Sequence, residues 1–215
     1  MPEPMPPYRE LPPTAGSPPS LADYLRQPAE PFAAGLSRRF GLPDPVLACS
    51  GTAALVVALV AFARRAPNRR DVIVPAYTCP LVPLAVSLAS RAGSPVSGLR
   101  VVLCDTLSGG FDFDAQRLER LCGADTLAII PTHLGGRVAD VKTAVRIAGR
   151  CGAYVIEDAA QALGALDGCG QSAGLGGHGQ SVGLSGDAGF FHPAPATPPA
   201  PPAAGARGAP PRPPR

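Results

Sequence analysis

Between residues 46 and 191, short apolar runs alternate with stretches in which apolar residues recur at helical spacing. The runs, rich in Val, Ile, Leu and Ala, predict six strands, and the stretches between them predict four helices. Because most runs are apolar at consecutive positions, the strands should be buried on both faces. The pattern predicts an α/β domain with a mostly parallel sheet and helices on both faces. The predicted strands are 46–49, 71–75, 100–104, 127–130, 153–156 and 187–191, and the predicted helices are 52–65, 80–91, 114–121 and 139–150.

Proline content divides the chain into three parts. Of the 28 prolines, 12 lie in residues 1–45 and 10 in residues 193–215. Segments of this composition bury too little apolar surface to fold alone, so we expect residues 1–28 to be flexible and residues 192–215 to form a disordered tail. The Gly- and Ser-rich stretch 165–186 is expected to be a loop.

Charge and cysteine content argue against several classes of function. The net charge of +3 is too small for a broad nucleic-acid surface, and the arginines at 64, 65, 69 and 70 suit the end of a helix. The six cysteines form no CxxC pair, which gives no support to a metal site and favours reduced thiols in a cytoplasmic protein. The longest apolar run, 53–63, is too short to cross a bilayer, and we expect no secretory signal.

A first candidate site lies where a predicted strand passes into a helix, at CSGTAAL, residues 49–55. Ser50 or Thr52 can cap the helix, and Gly51 lets a ligand approach the backbone. The exposed N–H groups and the positive end of the helix dipole would then bind a phosphate or a carboxylate. An ordinary helix cap is the alternative interpretation.

A second candidate site follows the predicted strand at 153–156. Glu157, Asp158 and Gln161 lie at its carboxyl end, which is where ligands bind in open α/β sheets. A carboxylate there can hold a cationic ring nitrogen or a metal, and the amide can bond to a polar ligand atom. The alternative is a helix that begins with acidic residues in its first turn.

A nucleotide-binding fingerprint is not supported. The string at 174–179 matches GxGxxG, but no strand precedes it and no helix follows it, so a flexible loop is the better interpretation. Lys142 is the only lysine of the chain and no GxxxxGK surrounds it, which argues against a P-loop. An unrelated α/β nucleotide-binding domain is therefore the weakest of the hypotheses.

Five strings occur together in the order and spacing of a known family. They are SGTAAL at 50–55, VPAYT at 74–78, IPTHLG at 130–135, EDAAQALG at 157–164 and GDAG at 186–189. Over residues 29–191 the chain resembles the DegT/DnrJ/StrS aminotransferases. The resemblance implies an incomplete large domain of the aspartate aminotransferase fold, fold type I. It also implies an enzyme dependent on pyridoxal 5′-phosphate (PLP) that aminates keto sugars, often nucleotide-linked, in polysaccharide or secondary-metabolite biosynthesis.

The resemblance also implies roles for single residues. Ser50, Gly51 and Thr52 would bind the phosphate of PLP, Asp158 would pair with its protonated ring nitrogen, and Gln161 would lie near its ring hydroxyl. The implied partners are a keto-sugar substrate and an amino donor, in a homodimer.

The chain departs from the family pattern at two places. Cys79 stands where an aromatic residue commonly stacks on the cofactor ring. His133 belongs to the matching string at 130–135, but it is more simply a structural histidine than a catalytic one. After Phe191 the family continues with a serine that contacts the phosphate and then with the lysine that binds PLP covalently, whereas this chain has His192 and no further lysine.

These departures lead to two alternative hypotheses. In the first, the chain is an aminotransferase truncated or frameshifted after Phe191, with no catalytic residue, no covalent attachment of PLP and little activity alone. Without a further antiparallel strand, its sheet would have unpaired edges and its dimer would be doubtful. In the second, the chain is a non-enzymatic relative that binds a phosphorylated ligand or a partner protein.

Overall fold

The computed structural model describes residues 21, 25, 30–42, 45–91, 97–135, 137–163, 165–167 and 180–192. The greater part of both proline-rich segments and the string at 174–179 lie outside the described residues. In chain order the elements are α1 Phe32–Phe40, α2 Gly51–Arg65, β1 Asp71–Pro75, α3 Leu81–Arg91, β2 Arg100–Cys104, α4 Ala115–Leu121, β3 Thr126–Ile129, α5 Val141–Cys151, β4 Tyr154–Asp158, β5 Leu166–Asp167, β6 Gln180–Ser181 and β7 Ala188–Phe190.

Five of the strands form one parallel sheet in the order β2-β1-β3-β4-β7. The helices α3, α4 and α5 connect successive parallel strands, as parallel pairing requires. The predicted α/β fold with a parallel sheet is therefore confirmed. Strands β5 and β6 form a separate antiparallel pair within the stretch that we predicted to be a loop.

Helices cover both faces of the sheet because side chains alternate along each strand. Val72 and Val74 of β1 pack in a cluster with α2 and α3, whereas Ile73 between them packs in a second cluster with α4 and α5. A third, smaller cluster joins α1 to the segment after β4 and to Phe191. Cavities and sites on the α2 side are thus separated from α5 by the thickness of the sheet.

The predicted strand at 46–49 is wrong. These residues form no strand, since Leu47 alone makes an isolated β-bridge, and Val46 is 53% exposed. A short apolar run becomes a strand only where a neighbour pairs with several successive residues, and the five-stranded sheet ends at β7 on one side and at β2 on the other. The other five predicted strands and all four predicted helices form, with bounds that differ by at most two residues. Helix α1 was not predicted from the sequence; its one buried side chain, Leu36, gives a weak pattern.

The prediction that the cysteines are reduced thiols is wrong for one pair. Cys122, which follows α4, and Cys151, the last residue of α5, form a disulfide with a Cα–Cα distance of 6.8 Å. Cys104 is buried and free, and Cys49 and Cys79 are exposed and free. The two paired residues are 29 positions apart, so their spacing alone does not indicate the bond.

The arginines around the end of α2 include one, Arg69, that binds to the rest of the fold. Arg64 and Arg65 lie in the last turn of α2, as predicted. Arg69 donates from its two terminal nitrogens to the carbonyl oxygens of Thr126 and Cys151, both at 2.7 Å. Because Cys151 ends α5, Arg69 neutralises the negative end of that helix.

Two further functions find no support in the part of the chain that the structure describes. No helix there has both the length and the apolar character needed to cross a membrane. The same residues contain no group of three or more His, Cys, Asp or Glu side chains positioned to hold a metal ion.

Candidate functional site

The N-terminus of α2 presents backbone donors to solvent. Ser50 caps the helix, since its Oγ accepts a hydrogen bond from the N–H of Ala53 at 3.1 Å, and Ala54 makes the first intrahelical bond, to Ser50 O, at 3.0 Å. The N–H of Gly51 donates to Nδ1 of His192 at 3.3 Å. Among the described residues, no acceptor faces the N–H of Thr52. The helix therefore keeps one backbone donor for an external acceptor and shares a second with His192.

Asp158 is the last residue of β4, at the carboxyl edge of the sheet, and is only 4% exposed. Its Oδ1 accepts a hydrogen bond from the N–H of Ala160 at 3.1 Å, and no described residue donates to its Oδ2. Burial raises the pKa of this carboxyl to about 6, although the bond from Ala160 acts in the opposite direction. A cation or a hydrogen-bond donor beside Asp158 would relieve the cost of keeping it ionised.

One cavity of about 150 Å³ brings the helix end and the carboxylate together. Its walls include Cys79 and the apolar side chains of Leu55, Val82 and Phe190. The lining residues are Ser50, Gly51, Thr52, Leu55, Cys79, Leu81, Val82, Asp158, Ala160, Phe190 and His192. We call this space the α2–β4 cavity. Four of the five residues named from the sequence thus meet, although more than a hundred positions separate Thr52 from Asp158.

The fifth residue, Gln161, does not line the α2–β4 cavity. Its side chain is exposed and its Oε1 accepts a hydrogen bond from the N–H of Gly135 at 2.8 Å. In this structure Gln161 fixes the loop that follows β3.

Glu157 lies on the opposite side of β4 from Asp158, because neighbouring side chains of a strand point to opposite faces. It is 1% exposed, and its carboxylate accepts hydrogen bonds from the N–H groups of Gly183, Ser185 and Gly186, at 2.8, 2.7 and 2.6 Å. The interpretation of both carboxylates as ligand-facing is therefore wrong for Glu157. Its role is to hold the loop that leads into β7.

His133 completes this buried network. Its Nδ1 accepts from the N–H of Ala139 at 3.0 Å, so the ring proton is on Nε2, which lies 3.1 Å from Oε2 of Glu157. The ring is fully buried and both nitrogens have partners. This confirms the interpretation of His133 as a structural histidine.

The GDAG string positions β7 against the rest of the sheet. Asp187 Oδ2 accepts from the N–H of Val155 at 2.8 Å. A Cβ atom on Gly189 would lie 2.5 Å from the carbonyl oxygen of Gly183, a distance that no side chain tolerates. The chain can therefore pass this closely only with glycine at 189, and this approach determines where the residues after β7 lie.

His192 is the site residue that sequence reasoning missed. In the sequence it differs from the family serine, and no local pattern indicates that it reaches a helix 141 positions away. Cys79, the other departure, is exposed and lines the same cavity. The neighbouring Tyr77 is turned to Phe111, with ring centroids 5.2 Å apart.

These groups define the chemistry of a suitable ligand. The N-terminus of α2 favours an anion, and a phosphate has several oxygens with which to accept its N–H groups. Asp158, which lines the same cavity, favours a cationic or proton-donating group on the ligand. A compact ligand that carries a phosphate and a basic nitrogen satisfies both.

Comparison with known proteins identifies a matching family. The model of the DegT/DnrJ/EryC1/StrS aminotransferase family matches residues 27–193. The GDP-perosamine synthase of Caulobacter vibrioides is 37% identical over 136 residues, which cover 63% of this chain and 34% of that protein. The L-glutamine:2-deoxy-scyllo-inosose aminotransferase of Streptomyces fradiae is 35% identical over 136 residues, covering 62% of this chain and 29% of that protein.

Solved structures share the fold. A Streptococcus pneumoniae protein solved in a PLP-form aligns with a TM-score of 0.61 and 23% identity, over 80% of this chain and 45% of that one. The chain spans about a third of the length of the curated relatives named above.

Proposed function

The chain belongs to the DegT/DnrJ/EryC1/StrS aminotransferase family, and from this premise we propose that its α2–β4 cavity binds pyridoxal 5′-phosphate without a covalent bond. The observation that carries the proposal is that one cavity joins a helix N-terminus with a spare backbone donor to a buried carboxylate. PLP has the matching groups, a phosphate and a ring nitrogen that is basic.

The residues present suit two parts of this cofactor. The N–H groups of Gly51 and Thr52 would bind the phosphate, and the cap that Ser50 makes keeps the helix end in place. Asp158 would hold the protonated ring nitrogen, since a carboxylate beside a base favours its charged form. When bound, PLP supplies an electron sink for a carbanion.

Two residues limit how the chain can hold the cofactor. Cys79 offers the ring a thiol rather than an aromatic face, so stacking would be weaker. Lys142, the single lysine of the 215 residues, lies at the beginning of α5. Helix α5 packs on the face of the sheet opposite to α2, so Lys142 does not reach the α2–β4 cavity. We therefore propose that these 215 residues hold PLP by non-covalent contacts and transfer amino groups slowly.

For the substrate, we extend to this chain the class that its relatives suggest, a keto sugar or similar cyclic ketone, including nucleotide-linked forms, with an amino donor. The names of the Caulobacter and Streptomyces relatives support this class. We propose a cytoplasmic location, in which the Cys122–Cys151 disulfide would be an exception to the usual reduced state of thiols. A non-enzymatic protein that binds PLP or another phosphorylated ligand is the second candidate, and it is favoured by the position of Lys142.

Equilibrium dialysis with PLP tests the binding proposal. We expect saturable binding that inorganic phosphate displaces, and affinity about 10- to 100-fold lower in Asp158→Ala, the range for losing a hydrogen bond to a charged group. Asp125→Ala, whose side chain is 72% exposed beyond the other end of the sheet, is the matched control and should bind like the wild type. Equal binding by wild type and Asp158→Ala would contradict the proposed site.

The form of the bound cofactor separates the two candidate functions. After borohydride reduction and digestion, mass spectrometry should find the same pyridoxyl-labelled peptides in the wild type and in Asp158→Ala. Such labelling would not depend on the α2–β4 cavity. Rapid conversion of bound PLP by L-glutamine, at the rate of a full-length relative, would contradict slow transfer. No conversion at all would favour the non-enzymatic candidate.

A further inference from the structure

We propose that His192 is an internal ligand of the α2 N-terminus, which competes with the phosphate of a bound ligand and thereby lowers the affinity of the α2–β4 cavity. This inference rests on the proposed function, because it assumes that the cavity binds a phosphorylated ligand. It concerns a polar lining residue for which the sequence predicts no role in the site.

The contact between His192 and α2 is close. Nδ1 of His192 accepts the N–H of Gly51 at 3.3 Å, and the Cβ that any other residue would carry at position 51 would lie 2.9 Å from Cβ of His192. The imidazole therefore rests directly on the backbone of the first helical residue. A phosphate oxygen that accepts the N–H of Gly51 must take the place of Nδ1, because one N–H makes one strong hydrogen bond.

The role of Nδ1 as a hydrogen-bond acceptor makes His192 a competitor in this position. Nδ1 accepts a hydrogen bond, so it carries no proton, and the ring proton is on Nε2. The nitrogen next to the helix thus presents a lone pair, which repels an incoming phosphate oxygen. Binding requires the side chain to rotate away from Gly51.

Rotation of His192 leaves the core intact. The side chain is exposed, whereas Phe190 and Phe191 before it are buried in two different clusters. Those two residues fix the backbone up to position 191, and the imidazole can turn into solvent without disturbing them. The cost of opening is then close to the loss of one hydrogen bond.

The groups that remain in the cavity also point to an external ligand. Asp158 is more than nine-tenths buried and its Oδ2 has no donor among the described residues. Within the same part of the chain, the N–H of Thr52 has no acceptor. His192 satisfies neither group, so its contact with Gly51 completes only part of the site.

Binding measurements on two variants test this proposal, with PLP, inorganic phosphate and pyridoxal as probes. His192→Ala removes the competing nitrogen, and we expect PLP and phosphate to bind about 2- to 10-fold more tightly, which corresponds to one net hydrogen bond. His192→Asn is the matched control, because its amide oxygen can accept the N–H of Gly51, and it should bind like the wild type. Pyridoxal, which lacks the phosphate, should bind the wild type and His192→Ala equally.

The outcomes separate this proposal from the proposed function. Equal or weaker binding of PLP by His192→Ala, with its thermal unfolding unchanged, would overturn the role of His192 and leave the site standing. Tighter binding of pyridoxal by the same factor would also overturn it, because the gain would then owe nothing to the phosphate. No binding of PLP or phosphate to any variant would overturn both proposals.

Discussion

The Nε2 atom of His133 lies 3.1 Å from Oε2 of Glu157, with both side chains buried beneath the loop that leads into β7. This bond and three from backbone N–H groups give the Glu157 carboxylate four donors. A buried carboxylate is tolerated only when it is satisfied in this way. Glu157 therefore links three segments of the chain, those that follow β3, end β4 and precede β7.

Loss of Glu157 should destabilise the fold severely. Glu157→Ala leaves three backbone N–H groups and the imidazole of His133 without an acceptor, and we expect the free energy of unfolding to fall by about 3–5 kcal/mol. Urea denaturation followed by circular dichroism measures this. Glu119→Ala is the control, since Glu119 makes exposed ion pairs with Arg146 and Arg150. It should cost no more than about 1 kcal/mol, and similar losses in the two variants would contradict the structural role.

Asp158 should make stability depend on pH. Its pKa is raised from 3.8 to about 6 by burial, so between pH 4 and 6 the folded chain binds a proton that the unfolded chain does not. The contribution of this group to the free energy of unfolding is therefore highest below pH 4. It falls as the pH rises to 6, by up to about 3 kcal/mol. Asp158→Asn removes the effect, so it should be more stable than the wild type at pH 7 and equal to it near pH 4.

Urea denaturation of both proteins across this pH range provides the measurement. The difference between wild type and variant isolates Asp158 from all other titrating groups. A difference that stays constant from pH 4 to pH 7 would show that the carboxyl titrates at its ordinary value.

Reduction of the Cys122–Cys151 disulfide should lower stability. The bond closes a loop between positions 29 apart, for which the chain-entropy relation gives about 3–4 kcal/mol. We expect reducing agent to lower the urea midpoint of the wild type, and Cys122→Ser to reproduce the lower value with or without reducing agent. Cys79→Ser, which changes an exposed free thiol, should leave the midpoint unchanged. A wild-type midpoint that does not respond to reduction would argue against the bond.

Ser50 should contribute to helix stability and to anion binding separately. Ser50→Ala removes the acceptor for the N–H of Ala53 and should cost about 1 kcal/mol. Ser50→Asp keeps an acceptor at the cap, so it should unfold like the wild type, but its negative charge beside Gly51 should abolish phosphate binding. Thermal unfolding measures the stability of the two variants, and equilibrium dialysis measures their binding of phosphate. Retained phosphate binding by Ser50→Asp would place the anion elsewhere.

Gly189 should tolerate no side chain. The added Cβ of Gly189→Ala would lie 2.5 Å from the carbonyl oxygen of Gly183, so either β7 or the preceding loop must move. We expect a loss of at least 2 kcal/mol, comparable to overpacking of a core. Gly123→Ala is the matched control, since nothing lies within 4 Å of the added atom. Both variants can be compared by urea denaturation, and equal stability would contradict the close approach.

The sequence predicts the regular elements well because their signals are local. The runs at β1 and β3 are apolar at successive positions, and the cap at Ser50 stands directly before its helix. The run at 46–49 has the same local signal as β1. It fails as a strand because strand formation depends on a neighbour that only the assembled sheet supplies.

The candidate site likewise contains residues that the sequence predicts and residues that it does not. Resemblance to a family named Ser50, Gly51, Thr52 and Asp158, and the structure brings these four into one cavity. Because side chains alternate along β4, Glu157 and Asp158 lie on opposite faces of the sheet. This inference requires the bounds of the strand, which the structure supplies. The contact of His192 with Gly51 and the pairing of Cys122 with Cys151 depend on distances between remote segments, which a single sequence does not contain.

Gly51 and His192 are 141 positions apart, so the residues around the cavity are synthesised at different times. Strands β1, β2 and β3 with α2 and α3 are synthesised before β4 and β7, and a domain generally folds as one unit. The walls supplied by Asp158, Phe190 and His192 arrive last. Ligand binding therefore requires the chain to have been synthesised through His192, and a nascent chain that ends before β7 would carry the helix end without the other walls of the cavity.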